Sequence, residues 1–178
     1  MKEINKVYDI IYADPPWYFK TYSDKGNNRS AMLHYNCLDI HDIYNLSVDR
    51  ISNNDCILFL WVIDPMLPEA MEVIKKWGFK FKTVAFTWVK ENKKSEGYFT
   101  GLGYWTRANP EMCLLATKGK PKRISKAVRQ LIISKRQKHS KKPDEIRDRI
   151  IQLCGDLPRI ELFARQKVKG WDCWGDEV

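Results

Sequence analysis

The stretch DIIYADPPWYF, residues 9–19, runs apolar to Tyr12 and Ala13, then sets an acid, two prolines and a tryptophan in a row. A short apolar run bounded by turn residues reads as a buried strand. Asp14, Pro15, Pro16 and Trp17 cannot continue it as a central strand. Proline has no N–H for the ladder, and a carboxylate buried without a partner is costly. The strand therefore ends at Asp14. Pro15 and Pro16 fix their own φ, and each holds the residue before it extended. Asp14 and the Pro15 carbonyl are then placed to face outward as a rigid pair of acceptors. A planar amino group offers two N–H donors, which is the matching pattern, and Trp17 adds a flat surface for stacking. The corner suits a planar heterocycle with an exocyclic amine, such as adenine or cytosine. Taken alone, Asp-Pro-Pro has a plainer reading, a turn with Trp17 as its core anchor.

Further strand-like runs lie at 7–13, 56–63, 83–89, 112–117 and 159–164. The run at 56–63 is almost continuously apolar, as expected of a strand buried on both faces in a parallel sheet. Helical patterns fall between the runs. Asp64 and Pro65 read as an N-cap with proline in the first turn. That helix ends at Gly78. A second helix starts near Pro143, carries Ile146, Ile150 and Leu153 on one face, and closes at Gly155. A weaker helix is expected over 39–46. Strands alternating with helices imply an α/β layered fold. Ligands of open α/β sheets bind outside the carboxyl ends of the strands, and Asp14 sits at such an end. Residues 1–178 read as a single domain, with long loops near 18–36, 91–110 and 118–141. Loops of that length are commonly functional or disordered.

Composition narrows the class. Hydrophobic residues make up 44% of the chain, enough for a sizeable core. No apolar run is long enough to span a bilayer, and the N-terminus lacks a secretory leader. The five cysteines are scattered without a CxxC pair, so neither a zinc site nor a disulfide framework is indicated, and a reducing, cytoplasmic setting is expected. The net charge of +9 is local. Eleven Lys/Arg and no acid fall between Met112 and Pro143, which leaves 20 Lys/Arg against 22 Asp/Glu elsewhere. A basic tract of this kind points to a polyanion partner. From Lys118 to Lys141 it has no strong helical or strand period, so a mobile segment is expected.

The strings ADPPW, ILFLWV, WGF, TWVK, GYWTRANPE, LLATKGKPKR, HSKKPDEIRDRI, IELFAR and GWDCWGDE occur in this order. Through them the chain resembles, over nearly its full length, the adenine-N6 methyltransferase family with a DPPW motif. That family is typified by the catalytic subunit of the eukaryotic messenger-RNA adenosine methyltransferase. The chain looks most like the small bacterial and phage members, which implies the cytoplasm of a bacterial or phage-infected cell. The resemblance implies a Rossmann-like S-adenosylmethionine-dependent fold in circularly permuted order, with the catalytic motif N-terminal and the cofactor strand, RIELFAR, C-terminal. It implies a mostly parallel central sheet with helices on both faces. Where the family often has glycine, this chain has Ala164.

Carried over by motif, Asp14, Pro15, Pro16 and Trp17 form the catalytic set. Lys142, Arg165, Lys167, Asp176 and Glu177 join Asp14 in holding S-adenosylmethionine. Tyr35, Trp105 and Asn109 lie in loops expected to grip the base and flanking strand, with Lys135, Arg136 and Lys138 on the phosphates. The implied reaction is methyl transfer to the N6 amine of adenine in nucleic acid, with DNA preferred over RNA. No metal, covalent intermediate or membrane is called for, and a homodimer or a partner protein stays open. Two other classes compete with this reading. A non-catalytic nucleic-acid-binding partner with this fold would be free to lose Asp14 or Trp17, and both are present. A nicotinamide-dependent oxidoreductase lacks its GxGxxG after an early strand.

Overall fold

Side chains of β1 (Tyr8–Ala13) alternate between two faces, and each face carries its own core. Ile11 and Ala13 pack with Leu58, Leu60 and Val62 of β2 (Ser52–Val62) on one side. Ile10 and Tyr12 pack with Ile57, Phe59 and Trp61 on the other. The run from Cys56 to Val62 is buried throughout, as its unbroken hydrophobicity predicts. The computed structural model describes residues 4–18, 38–103, 105–137 and 141–178.

The remaining strands are β3 (Lys80–Glu91), β4 (Glu111–Lys118), β5 (Leu131–Lys135), β6 (Arg159–Leu162) and β7 (Asp172–Trp174). They form one seven-stranded sheet in the order β5-β3-β4-β2-β1-β6-β7. Only β4 runs against the rest. It makes both antiparallel pairings, with β2 and β3, while β1–β2, β1–β6, β3–β5 and β6–β7 are parallel. Helices α1 (Ile40–Tyr44), α2 (Val48–Ile51) and α3 (Leu67–Lys76) cover the Leu58 face through Ile43, Val48, Ile51, Ala70, Val73 and Ile74. Helix α4 (Glu145–Cys154) covers the Phe59 face through Ile146, Ile150 and Cys154. The fold is therefore a mixed α/β layer with a mostly parallel sheet and helices on both faces, consistent with a methyltransferase-like fold. Among the described residues, no helix is long and apolar enough to cross a membrane.

Two expectations need correction. Asp64 does not cap α3. It opens a short 3₁₀ turn, Asp64–Met66, closed by the Met66 N–H donating to the Ile63 carbonyl at 2.9 Å, and α3 follows from Leu67. The basic tract is not patternless either, because β5 lies inside it. Of β5, only Ile132 is fully buried, so the apolar alternation is too short to stand out from the surrounding charge. Tertiary bonds fix the strand instead. Arg149 of α4 donates to the carbonyls of Arg129 and Leu131 at 2.9 Å each, and the Trp88 indole donates to Ser134 Oγ at 2.9 Å. In protein without nucleic acid the amides of Ile132 and Ser134, which the register turns towards β3, are expected to exchange slowly, and those of the exposed Lys122 and Arg123 fast. Uniformly fast exchange across 118–137 would return the whole tract to a mobile loop.

Candidate active site

The strand directions bring the charged residues to one edge. β1, β2, β3, β5, β6 and β7 all point their carboxyl ends there, and the reversed β4 brings its beginning, Glu111. Asp14 follows β1, the Lys90–Glu91 pair ends β3, and Lys135 ends β5. Phe163 and Arg165 follow β6, and Glu177 follows β7.

At the centre is the Lys142 ammonium. Nζ lies 2.8 and 2.7 Å from the two Asp14 oxygens and 3.2 Å from Glu111 Oε2. It also sits 5.4 Å from the Trp61 ring centroid. Glu111 has a second cation, Lys90, at 2.6 Å. Two carboxylates and two ammoniums thus share one poorly solvated site. Burial pushes the Asp14 carboxyl above its ordinary range, and the pull of Lys142 does not fully offset it. Burial opposes the Glu111 charge too, but Lys142 and Lys90 outweigh it and hold Glu111 down at about 2. Burial disfavours the Lys142 charge, yet Asp14 and Glu111 raise its pKa above the usual lysine range. Glu111 and Lys142 are charged at neutral pH, and Asp14 is the group whose charge burial opposes beyond what its cation returns.

The corner around Asp14 differs from expectation in one respect. Trp17 is 5% exposed, and its indole N–H donates to the Trp61 carbonyl at 2.9 Å. It belongs to the core on the Leu58 face. Trp17 is thus the anchor of the turn and offers no open face for stacking. Its indole satisfies a carbonyl at the end of β2, and its volume fills the gap that the strand end leaves. The Pro15 carbonyl accepts the Trp17 N–H at 2.8 Å, closing a three-residue turn on Pro16. One lone pair of that carbonyl is left over. Lys142 likewise uses two of the roughly four acceptor sites of the Asp14 carboxylate. Asp14 and Pro15 therefore keep acceptor capacity for a further donor. Behind them the Trp61 indole donates to the Tyr12 hydroxyl at 2.8 Å, which fixes both rings.

Beside Asp14 a cleft of about 190 Å³ is lined by Tyr12, Lys141, Lys142, Arg147, Glu161 and Phe163, together with Arg165, Gln166 and Glu177. Arg165 Nε donates to Glu177 at 2.9 Å. Arg147 grips Glu161 through Nε and Nη2, both at 2.8 Å, a bidentate pair at the cleft wall. Phe163 is the one described non-glycine residue with positive φ, 60°. It turns the chain sharply out of β6, and the Ala164 N–H bonds the Trp174 carbonyl at 3.0 Å. Gly175 packs so close to the Ala164 backbone that a side chain there would collide with it. Of the residues assigned to the cofactor, Lys142, Arg165 and Glu177 line the cleft with Asp14. Lys167 and Asp176 are exposed and outside its lining.

The base-side set divides further. The Asn109 amide accepts from the Lys90 N–H and donates both its N–H bonds to the carbonyls of Lys90 and Phe99, which pins the 92–110 loop to β3. Trp105 is 99% exposed. Lys135 is exposed, and the Arg136 guanidinium lies 3.3 Å from the Phe99 ring centroid. Tyr35 and Lys138 lie outside the described residues. The sequence reading passed over Glu111, Lys90, Arg147 and Glu161. The signal was available: Glu161 interrupts an apolar strand and Glu111 opens one, and a charge in such a place must be paired.

An α/β layer with its charged groups gathered at the carboxyl edge of the sheet is consistent with a methyltransferase-like fold. The MT-A70 family matches residues 8–177, and the chain belongs to it as a methyltransferase. It is 36% identical to the type II methyltransferase M.MunI of Mycoplasma sp, over 97% of this chain and 78% of that protein. It is 29% identical to the N(6)-adenosine-methyltransferase catalytic subunit METTL3 of Homo sapiens, over 89% of this chain and 26% of that protein. A putative N(6)-adenosine-methyltransferase MT-A70-like protein of Medicago truncatula is 27% identical, over 96% and 26%. The chain thus spans about a quarter of the last two.

The two carboxylates differ in what they do to stability. Glu111 has its pKa lowered on folding, so its contribution is full above about 4.5 and lost as pH falls towards 2. Asp14 has its pKa raised, so ionising it works against the fold. Glu111→Gln is expected to lose about 3 kcal/mol at pH 7, and Asp14→Asn to lose less, since Lys142 keeps Glu111 as its partner. Urea denaturation at pH 7 and pH 3 measures this, with the Glu111→Gln gap narrowing at pH 3. Equal losses in the two variants would contradict the division.

Proposed function

We propose that this MT-A70 enzyme transfers a methyl group from S-adenosylmethionine to the N6 amine of adenine in DNA, on a chain in circularly permuted order. The observation that carries the reading is Asp14: a part-buried carboxylate following a central strand, with acceptor capacity to spare at the mouth of a cleft. DNA is preferred because the chain is 36% identical to the type II methyltransferase and spans 78% of it, against 29% and 26% for the human adenosine-methyltransferase subunit. The eleven basic residues are the counterpart for phosphate, although several are engaged internally. Lys142 pairs with Asp14, Lys141 with Asp144, and Lys118 donates to Ser52. The rest supply the salt-dependent part of binding.

The donor set of the cleft fits the cofactor. Lys142 and Arg165 suit a carboxylate, Glu177 suits ribose hydroxyls, and Asp14 and Glu161 suit an ammonium. S-adenosylmethionine, when bound, supplies an electrophilic methyl group. The chain supplies the rest. The Asp14 carboxylate and the Pro15 carbonyl accept the two N–H bonds of the amine and return electron density to a nitrogen whose lone pair is delocalised into the ring. Both acceptors are set in place before the reaction, so they stabilise developing positive charge without reorganising. Lys142, shared between Asp14 and Glu111, favours the ionised form of Asp14 against the effect of burial. The proton released from the amine passes to Asp14 or to water. Trp17 and Tyr12 hold the corner rigid, and rigidity here is worth much because positioning dominates such reactions.

Purified protein is incubated with methyl-labelled cofactor and unmethylated DNA or RNA, and the modified base is identified by mass spectrometry. N6-methyladenine in DNA is expected. Asp14→Ala should remain folded and lose turnover by at least about 1,000-fold. Label confined to RNA, or to another base, would remove the reading, and so would a folded Asp14→Ala variant with substantial turnover.

Lys142→Ala and Arg165→Ala should each weaken S-adenosylhomocysteine binding by about tenfold or more, read by calorimetry, with DNA affinity little changed. Unchanged cofactor affinity in both would move the cofactor away from this cleft.

A further inference from the structure

The loop between β3 and β4 is a built object. Its stem is closed by the Asn92 N–H on the Gly97 carbonyl at 3.0 Å and the Phe99 N–H on the Lys90 carbonyl at 2.8 Å. The Gly101 N–H on the Ala108 carbonyl at 2.7 Å closes it further out. The Asn109 amide stitches both strands of the stem to Lys90 and Phe99. Arg136 lies flat over Phe99 from outside. Gly101 and Gly103 pack so tightly against the backbone of Ala108 and Thr106 that neither has room for a side chain. The turn is therefore narrow, and Trp105 stands at its tip, 99% exposed.

A tryptophan left wholly in water needs a reason, since its large apolar surface gains most from burial. A single-strand platform holds its ring against the protein and offers one face to a base. Trp105 has both faces open. Two open faces suit insertion between two bases, as apolar wedges do when they unstack a duplex step. The root of the loop is equally telling. Lys90, whose N–H and carbonyl Asn109 holds, is also the ion-pair partner of Glu111, and Glu111 contacts the Lys142 that binds Asp14. The finger is thus anchored to the acid expected to receive the base. Its exposed charges are mainly basic, Lys93, Lys94 and Arg107, with Glu96 the one acid on the loop.

We propose that Trp105 is a wedge that enters the base stack of duplex DNA at the place the target adenine leaves, which makes duplex rather than single-stranded DNA the substrate. This rests on the reading above that the enzyme methylates adenine in DNA. A target buried in a duplex has to be extruded before Asp14 can bind its amine. With the adenine turned out, Trp105 fills the space and offers a stacking face to each neighbouring base, which slows its return.

The methylated position is first mapped on an unmethylated amplified DNA fragment. Duplex oligonucleotides carrying that site are then compared with the adenine opposite thymine or opposite an abasic site, where extrusion is already easy. Trp105→Ala is expected to cut single-turnover methylation at least tenfold on the matched duplex and to come within threefold of wild type on the abasic one. With 2-aminopurine at the target position and S-adenosylhomocysteine present, wild type raises the fluorescence and Trp105→Ala, at equal occupancy, does not. Trp105→Phe restores part of both signals. The variant's melting temperature stays at the wild-type value, since the side chain is 99% exposed. Equal loss on both duplexes, no loss on either, or wild-type activity confined to single strands would each overturn the wedge while leaving adenine methylation standing. Absence of N6-methyladenine from every DNA treated with wild type would overturn the underlying reading and the wedge with it.

Discussion

A buried ammonium between two carboxylates governs the catalytic edge of this protein. Lys142 arrives from the segment before α4, Asp14 from the end of β1, and Glu111 from the start of β4. None of these groups is tolerable in a poorly solvated place by itself, since an isolated buried charge costs several kcal/mol. Together they bind parts of the chain 128 residues apart in sequence. Lys90 completes the balance, so the site holds two charges of each sign. The balance is uneven in effect. Glu111 gains more from its cations than burial takes away, and Asp14 does not. A carboxylate that the fold supports incompletely is the one poised to take another donor.

The reversal of β4 makes this grouping possible. Were β4 parallel to its neighbours, Glu111 would sit at the opposite edge of the sheet. Because β4 runs the other way, its first residue reaches the same edge as the carboxyl ends of β1, β3 and β6, and the site is assembled from these four strands. The bidentate Arg147–Glu161 pair does for the cleft wall what Lys142 does for its mouth. It joins α4 to β6 and leaves the Tyr12 ring under the Arg147 guanidinium at 5.8 Å.

The five main strands were legible because each carries an apolar run long enough to show its period. Both helix ends at Gly78 and Gly155 were legible because the chain turns there with φ of 83° and 95°, which glycine adopts without strain. β5 and β7 were not. They are short edge or near-edge strands, and what fixes them is bonded from elsewhere: Arg149 and Trp88 in one case, pairing with β6 in the other. Asp14 was legible as a strand-end acid. The company it keeps was not, because Glu111 looks like any acid after a proline until β4 is known to be reversed. The bonds of Trp17 and Asn109 within the protein were not legible, for a shared reason. Residue type told what each could bind, but the nearest unsatisfied groups, the carbonyls of Trp61, Lys90 and Phe99, belong to the protein itself.

The antiparallel neighbours β3 and β4 have a consequence for how such an enzyme can change. A parallel pair needs a crossover whose length is tied to the thickness of the layers, whereas an antiparallel pair needs only a hairpin. The closure entropy of a hairpin grows with the logarithm of its length, so doubling the loop costs only about 0.6 kcal/mol. Residues 92–110 can therefore be lengthened, shortened or recoded while Lys90 and Glu111 stay in register across the sheet. The geometry that would do the chemistry and the surface that would choose where to do it are held by the same two strands yet vary independently, so new sequence preferences can arise in this loop without reopening the charge balance at Asp14.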